Sequence, residues 1–148
     1  MKSLLQQAAR EEILHRLKTL APESHNLWGR LNVTQMICHC SDQVRMALGD
    51  IPCNRTRGPF RHWPLNVVMI YAIPWPKSKA KAPEETFTTS PTKWSDDLAQ
   101  LQQLIQRFGR QKQNGAWPLH PLFGKLSGAA WGVLSYRHFD HHLRQFGV

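Results

Sequence analysis

The chain has 148 residues, a formal net charge of +9, 41% hydrophobic and 20% charged residues, which fits one globular domain spanning 1–148 and excludes a disordered or fibrous chain. No stretch approaches the ~18 uncharged apolar residues of a membrane span. The opening MKSLLQQAAREEILHRL has no unbroken apolar core of the signal-peptide kind, and three cysteines are too few for a disulfide framework, so a reducing cytoplasm is the expected compartment.

The first predicted helix covers 3–20, with Leu4, Leu5, Ala8, Ile13, Leu17 and Leu20 on an apolar stripe, and stops at Ala21-Pro22. His15 lies within it without a partner one turn away and reads as a surface or packing residue. A turn-rich link follows, in which Trp28-Gly29 is expected to dock an aromatic ring on the end of the helices. Asn32 with Gln35 has the spacing of a capping box and opens a second helix from 33 to about 48, with the stripe Val33, Met36, Ile37, Cys40, Val44 and Ala47. His39 sits at the edge of that stripe, about 60° from Met36. The run Cys38-His39-Cys40 resembles a metal clip, yet on a helix the two cysteines point about 100° to either side of the histidine. His39 is therefore the candidate ligand, Cys40 a core residue and Cys38 an outer position. Asp42 reads either as a solvated carboxylate or as a group that orients an imidazole or acts as a base.

A Gly/Pro/Arg loop over 49–63 precedes PLNVVMIYAI, which is expected to form a buried helix between Pro64 and Pro74. Residues 74–93 form a proline-rich and lysine-rich connection, a lid or a tether. The stripe Trp94, Leu98, Leu101, Leu104, Ile105 and Phe108 marks another amphipathic helix over 94–108. Residues 109–126 read as a loop, with His120 as a turn residue near the start of the last helix, which Ser127 caps. In that last helix His138 and His142 lie about 40° apart and one turn above each other, so both imidazoles can face a single atom. Arg137 and Arg144 fall roughly 100° to 120° away, so the pair faces inward. His141 lies about 60° off on the other flank, beside Gln145.

The spacing thus offers His39, His138 and His142 as three neutral nitrogens from two helices, the donor set of a catalytic centre that keeps positions open for water and substrate. Three stretches, WGRLNVTQMICHCSDQVRMALG, HPLFGKLS and YRHFDHHLRQFG, resemble the DinB/YfiT-like metalloenzyme superfamily, in particular its bacterial branch known only as a domain of unknown function. The resemblance spans nearly the whole chain. It implies an all-α, DinB-like four-helix bundle with long inter-helix loops and a divalent metal, zinc or nickel first among the options, held by His39, His138 and His142. It also implies similarity to thiol-dependent transferases whose metal binds a low-molecular-weight thiol such as bacillithiol or mycothiol.

The expected activity is therefore that of a metal-dependent transferase or hydrolase in which the metal acidifies a bound thiol or water. Asp42, His141 and Gln145 are the candidates for the outer shell, with Asp42 and His141 as the catalytic candidates. The substrate is expected to be a small molecule, for whose anionic group the loop residues Arg55, Arg57 and Arg61 are candidates. The basic residues, including Lys77, Lys79, Lys81, Arg107, Arg110 and Lys112, are scattered and carry no recognition-helix or RNA-binding signature, so specific nucleic-acid binding is not expected. A homodimer is compatible with the sequence. The competing reading is a non-catalytic helical binding or stress-response domain whose site is structural or vestigial.

Overall fold

Asn32 opens the most buried helix of the fold, α2, Val33–Leu48, through the complete capping box: its side chain accepts from the Gln35 backbone N–H, and Gln35 returns the bond to the Asn32 backbone. Gly49, at φ 81, ends it in the left-handed conformation that a side chain would disfavour. The computed structural model describes residues 1–53, 58–75, 77 and 84–148. Around α2 lie α1, Gln7–Lys18, a short α3, Leu65–Val67, that widens into the π-helical turn Val68–Ala72, then α4, Trp94–Gly109, and α5, Gly128–Gln145. α2 packs against α4, α5 and the turn Glu84–Phe87, while α1 packs against α4 and α5. The fold is all-α as expected, but with five helices among the described residues rather than strictly four.

The core is built from the predicted stripes. Ile13 and Leu17 of α1, Met36, Ile37 and Val44 of α2, Leu101, Ile105 and Phe108 of α4, and Trp131, Phe139 and Leu143 of α5 are buried. Each such side chain contributes about 1.5–3 kcal/mol through removal of its apolar surface from water. The first helix starts later than expected. Leu4 is buried ahead of it, where its N–H donates to the Gly132 carbonyl of α5 at 2.9 Å. Ala9, one turn before Ile13, takes the inward position expected of Ala8, which is exposed. His15 is exposed.

Three other expectations are corrected. Cys38 is 3% exposed, because α2 is covered by neighbours on nearly every side and has no outer face at that position. The segment between Pro64 and Pro74 is helical but not buried: only Ile70 is, while Leu65, Val67 and Ile73 are exposed. Arg137 of α5 donates to the carbonyls of Met69, Ile70 and Ile73 and so satisfies the end of that turn. The stretch after α4 is not all loop: β1, Leu119–His120, pairs antiparallel with β2, Gly124–Lys125. His120 is buried there, and its Nδ1 accepts from the N–H groups of Leu122 and Phe123 at 3.1 and 3.2 Å. Its imidazole does the work of a backbone acceptor in closing the turn. Among the described residues, no helix is long and apolar enough to cross a membrane.

Candidate metal centre

His39 projects from the middle of α2, and His138 and His142 from successive turns of α5. One ring nitrogen from each lies within 4.8 Å of the others, so the helical phasing brings together the residues it singled out. His39 and His138 are buried, and their Nε2 atoms are 3.0 Å apart. Phe87 stacks on the His39 ring at 4.6 Å, and Trp75 stands 6.1 Å from the ring of His138.

Two of the three imidazoles are fixed by bonds at the far nitrogen. His39 Nδ1 lies 2.9 Å from the Thr86 carbonyl, which can only accept, so the proton is on Nδ1 and Nε2 carries a lone pair. His142 Nδ1 lies 3.0 Å from Gln145 Oε1, while Gln145 Nε2 donates to the Trp28 carbonyl at 2.7 Å. The Trp28 carbonyl dictates which way the amide faces, so Oε1 is an acceptor and the His142 proton is also on Nδ1. Gln145 itself is buried and leans against Gly29, at φ 91. Among the described residues His138 Nδ1 is buried without a partner, so that ring is held by the contact at its Nε2.

Burial depresses the basicity of all three rings. It lowers the His39 pKa, only partly opposed by the bond to Thr86 and the charge of Asp42. It holds His138 well below its ordinary value, with His142 and His39 adding to the effect, and lowers His142 to about 3, with His39 as the next contributor. All are neutral at pH 7, the form in which an imidazole donates to a metal. The spacing fits with a small adjustment. Two nitrogens 3.0 Å apart both reach a common point about 2.1 Å away, an ordinary zinc–nitrogen distance. The widest separation, within 4.8 Å, exceeds the roughly 3.4 Å between ligands on a tetrahedral ion by at most about 1.4 Å, the movement that binding would require.

The remaining sequence candidates fall around this cluster. His141 is half-buried, with ring contacts to Trp28 at 4.8 Å, His142 at 5.3 Å and Trp75 at 5.9 Å, and stands beside the three rather than among them. Burial lowers its pKa as well. Asp42 is fully buried, and its hydrogen bonds go to Thr88, Thr89 and Arg45. Burial raises its pKa, but the bonds from Thr89 and Thr88 outweigh it and the net shift is downward. Arg61 lies near the hairpin at Gly124. Arg55, Arg57, Lys79 and Lys81 lie outside the described residues. Lys77 places its ammonium 5.5 Å from the Trp28 ring, and Arg137 its guanidinium 5.6 Å from Trp75.

Sequence reasoning missed Thr86, Trp75 and Phe87. Thr86 acts through its carbonyl, which any residue carries, so no side-chain pattern marks it. Trp75 and Phe87 sit in or beside the long connection, outside any helical period. A model of the family DUF1569, described as a protein of unknown function, matches residues 1–147. No curated protein and no solved structure matches the chain.

Proposed function

We propose, for a chain that belongs to the DUF1569 family within the broader DinB/YfiT-like superfamily, that His39, His138 and His142 bind a divalent metal ion and that the centre is catalytic. The observation that carries this is the convergence of neutral ring nitrogens from α2 and α5, with the Nδ1–H groups of His39 and His142 donating to the Thr86 carbonyl and Gln145 Oε1. Such outer partners are what ligand imidazoles ordinarily have. The cluster has three members among the described residues, and no Cys, Asp or Glu joins it as a fourth. That favours an open catalytic centre over a closed structural one.

A divalent ion held there supplies Lewis acidity, which lowers the pKa of a thiol or water to the neutral range. The chain's own residues supply the rest. Phe87, Trp75 and Trp28 surround the histidines with aromatic rings that restrict water. His141, neutral and half-buried beside His142, is the group placed to accept or return a proton at the edge of the site. Lys77, exposed above Trp28, offers a cation to an anionic group on the incoming molecule. The resemblance to thiol-dependent transferases supports a low-molecular-weight thiol as nucleophile, with an electrophilic small molecule as its target.

Elemental analysis of metal-reconstituted wild type, His39→Ala and His142→Ala tests the proposal. The wild type is expected to carry close to one equivalent of zinc or nickel and each variant less than a tenth of that. Equal metal content in all samples would remove the site.

A further inference from the structure

We infer that Gln43 is a positioning residue for His138: its Oε1 is the acceptor that holds the His138 proton on Nδ1, leaving the lone pair of Nε2 for the ion. The inference rests on the metal-binding reading of the three histidines and deepens it.

An imidazole that gives Nε2 to a metal carries its proton on Nδ1, and inside a protein that N–H needs an acceptor. His39 has the Thr86 carbonyl, and His142 has Gln145 Oε1. His138 is the ligand whose Nδ1 has no partner among the described residues. Among the buried side-chain polar atoms of those residues one other stands in the same condition, and it is Gln43 Oε1. A buried donor and a buried acceptor each cost stability when left open, and joining the two removes both costs.

The helices bring these two atoms into one neighbourhood. Gln43 lies four residues after His39 on α2, and Ser135 three residues before His138 on α5, so each sits one turn along from a ligand on the same side of its helix. The Gln43 amide crosses between the helices and donates from Nε2 to Ser135 Oγ at 3.0 Å, beside the place where His39 and His138 meet at 3.0 Å. Side chains of α5 lean toward its N-terminus, so the His138 ring lies over the turn that holds Ser135. Its Nδ1 is the nitrogen nearer that backbone, while Nε2 reaches across to His39. With the amide nitrogen of Gln43 on Ser135, the oxygen is the end left to serve His138. Both Gln43 and Ser135 are buried, so bulk water does not compete for the bond. Closing it takes a small turn of the amide or the ring about its last side-chain torsion, the softest in each. The contraction that gathers three nitrogens on one ion moves the same ring.

The test uses the full-length protein with ¹⁵N-labelled histidines and zinc as the probe. In the zinc-loaded wild type, ring ¹H–¹⁵N correlations are expected to show a proton on Nδ1 of His39, His138 and His142, with the His138 N–H shifted downfield as in a hydrogen bond. Gln43→Met keeps the length of the side chain and removes the acceptor. It is expected to weaken zinc binding about 10–100-fold in competition and to move the His138 N–H upfield, while those of His39 and His142 stay in place. Gln43→Glu supplies a charged acceptor, and is expected to bind zinc at least as tightly as the wild type with the His138 N–H further downfield. A residue that merely fills space would not move that resonance in opposite directions. Should Gln43→Met fail to fold, the Gln43→Glu shift decides the matter alone. A His138 N–H resonance at the wild-type position in a folded, zinc-loaded variant overturns the inference and leaves the metal site standing. A wild type that binds no zinc overturns the metal-binding reading, and the inference with it.

Discussion

A Cβ placed on Gly29 would lie 2.1 Å from Nε2 of Gln145, so the amide of Gln145 occupies the space that a side chain at residue 29 would take. Gln145 Oε1 is also the group that accepts the hydrogen bond from His142 Nδ1–H. Gly29→Ala is therefore expected to act twice. The positive φ of 91 becomes strained, at a cost of about 1–2 kcal/mol. The displaced amide also releases His142, and zinc affinity is expected to fall about 10-fold or more. Urea unfolding and zinc competition measure the two effects. A variant that loses stability but binds zinc like the wild type would show that Gln145 does not orient His142.

Cys38 adjoins His39 in the chain and is buried, and burial raises its thiol pKa to about 11. Its thiol is not among the atoms that cluster with the three rings. Cys38→Ser is expected to leave the metal content unchanged while lowering stability by about 1–2 kcal/mol, since a hydroxyl replaces a thiol in an apolar setting. Elemental analysis and urea unfolding of the same preparation check both halves. Loss of more than half the bound ion would put Cys38 at the centre.

His120 gives the fold a dependence on acidity that does not pass through the metal. Burial lowers its pKa from 6.5 to about 3, so the native state keeps it neutral where the unfolded chain would protonate it. The stability this represents is complete above pH 6.5 and is lost as the pH falls toward 3, at about 1.4 kcal/mol per pH unit per group. His120→Asn keeps an acceptor for the Leu122 and Phe123 N–H groups but does not titrate. Metal-free wild type is expected to lose stability more steeply than this variant between pH 6 and pH 4, by about one proton. Parallel unfolding profiles would show that His120 is not the source.

The three-histidine cluster was legible in the sequence because its elements are long helices, in which spacing translates directly into direction. His138 and His142 one turn apart, and His39 at the edge of a clear stripe, converge as the period requires, and Gln145 three residues beyond His142 was readable as an outer partner. The same reasoning failed at Cys38, because a helix covered on nearly every side has no polar face to find. It failed for the segment from Pro64 to Pro74 in the opposite way: an apolar composition suggested burial, but only Ile70 is covered. Asp42 was left between two readings, solvent or site. It took the position of Thr88 and Thr89, more than forty residues away, to show that they are its partners.

His39 and His138 are separated by 99 positions along the polypeptide yet touch in space. An ion gripped by both would tie distant parts of the chain together and bind the folded form alone, so occupancy should be readable as resistance to heat. At a free concentration one hundred times the dissociation constant, that linkage amounts to about 2.7 kcal/mol. A chelator would then lower the melting temperature of the wild type while leaving His39→Ala where it was.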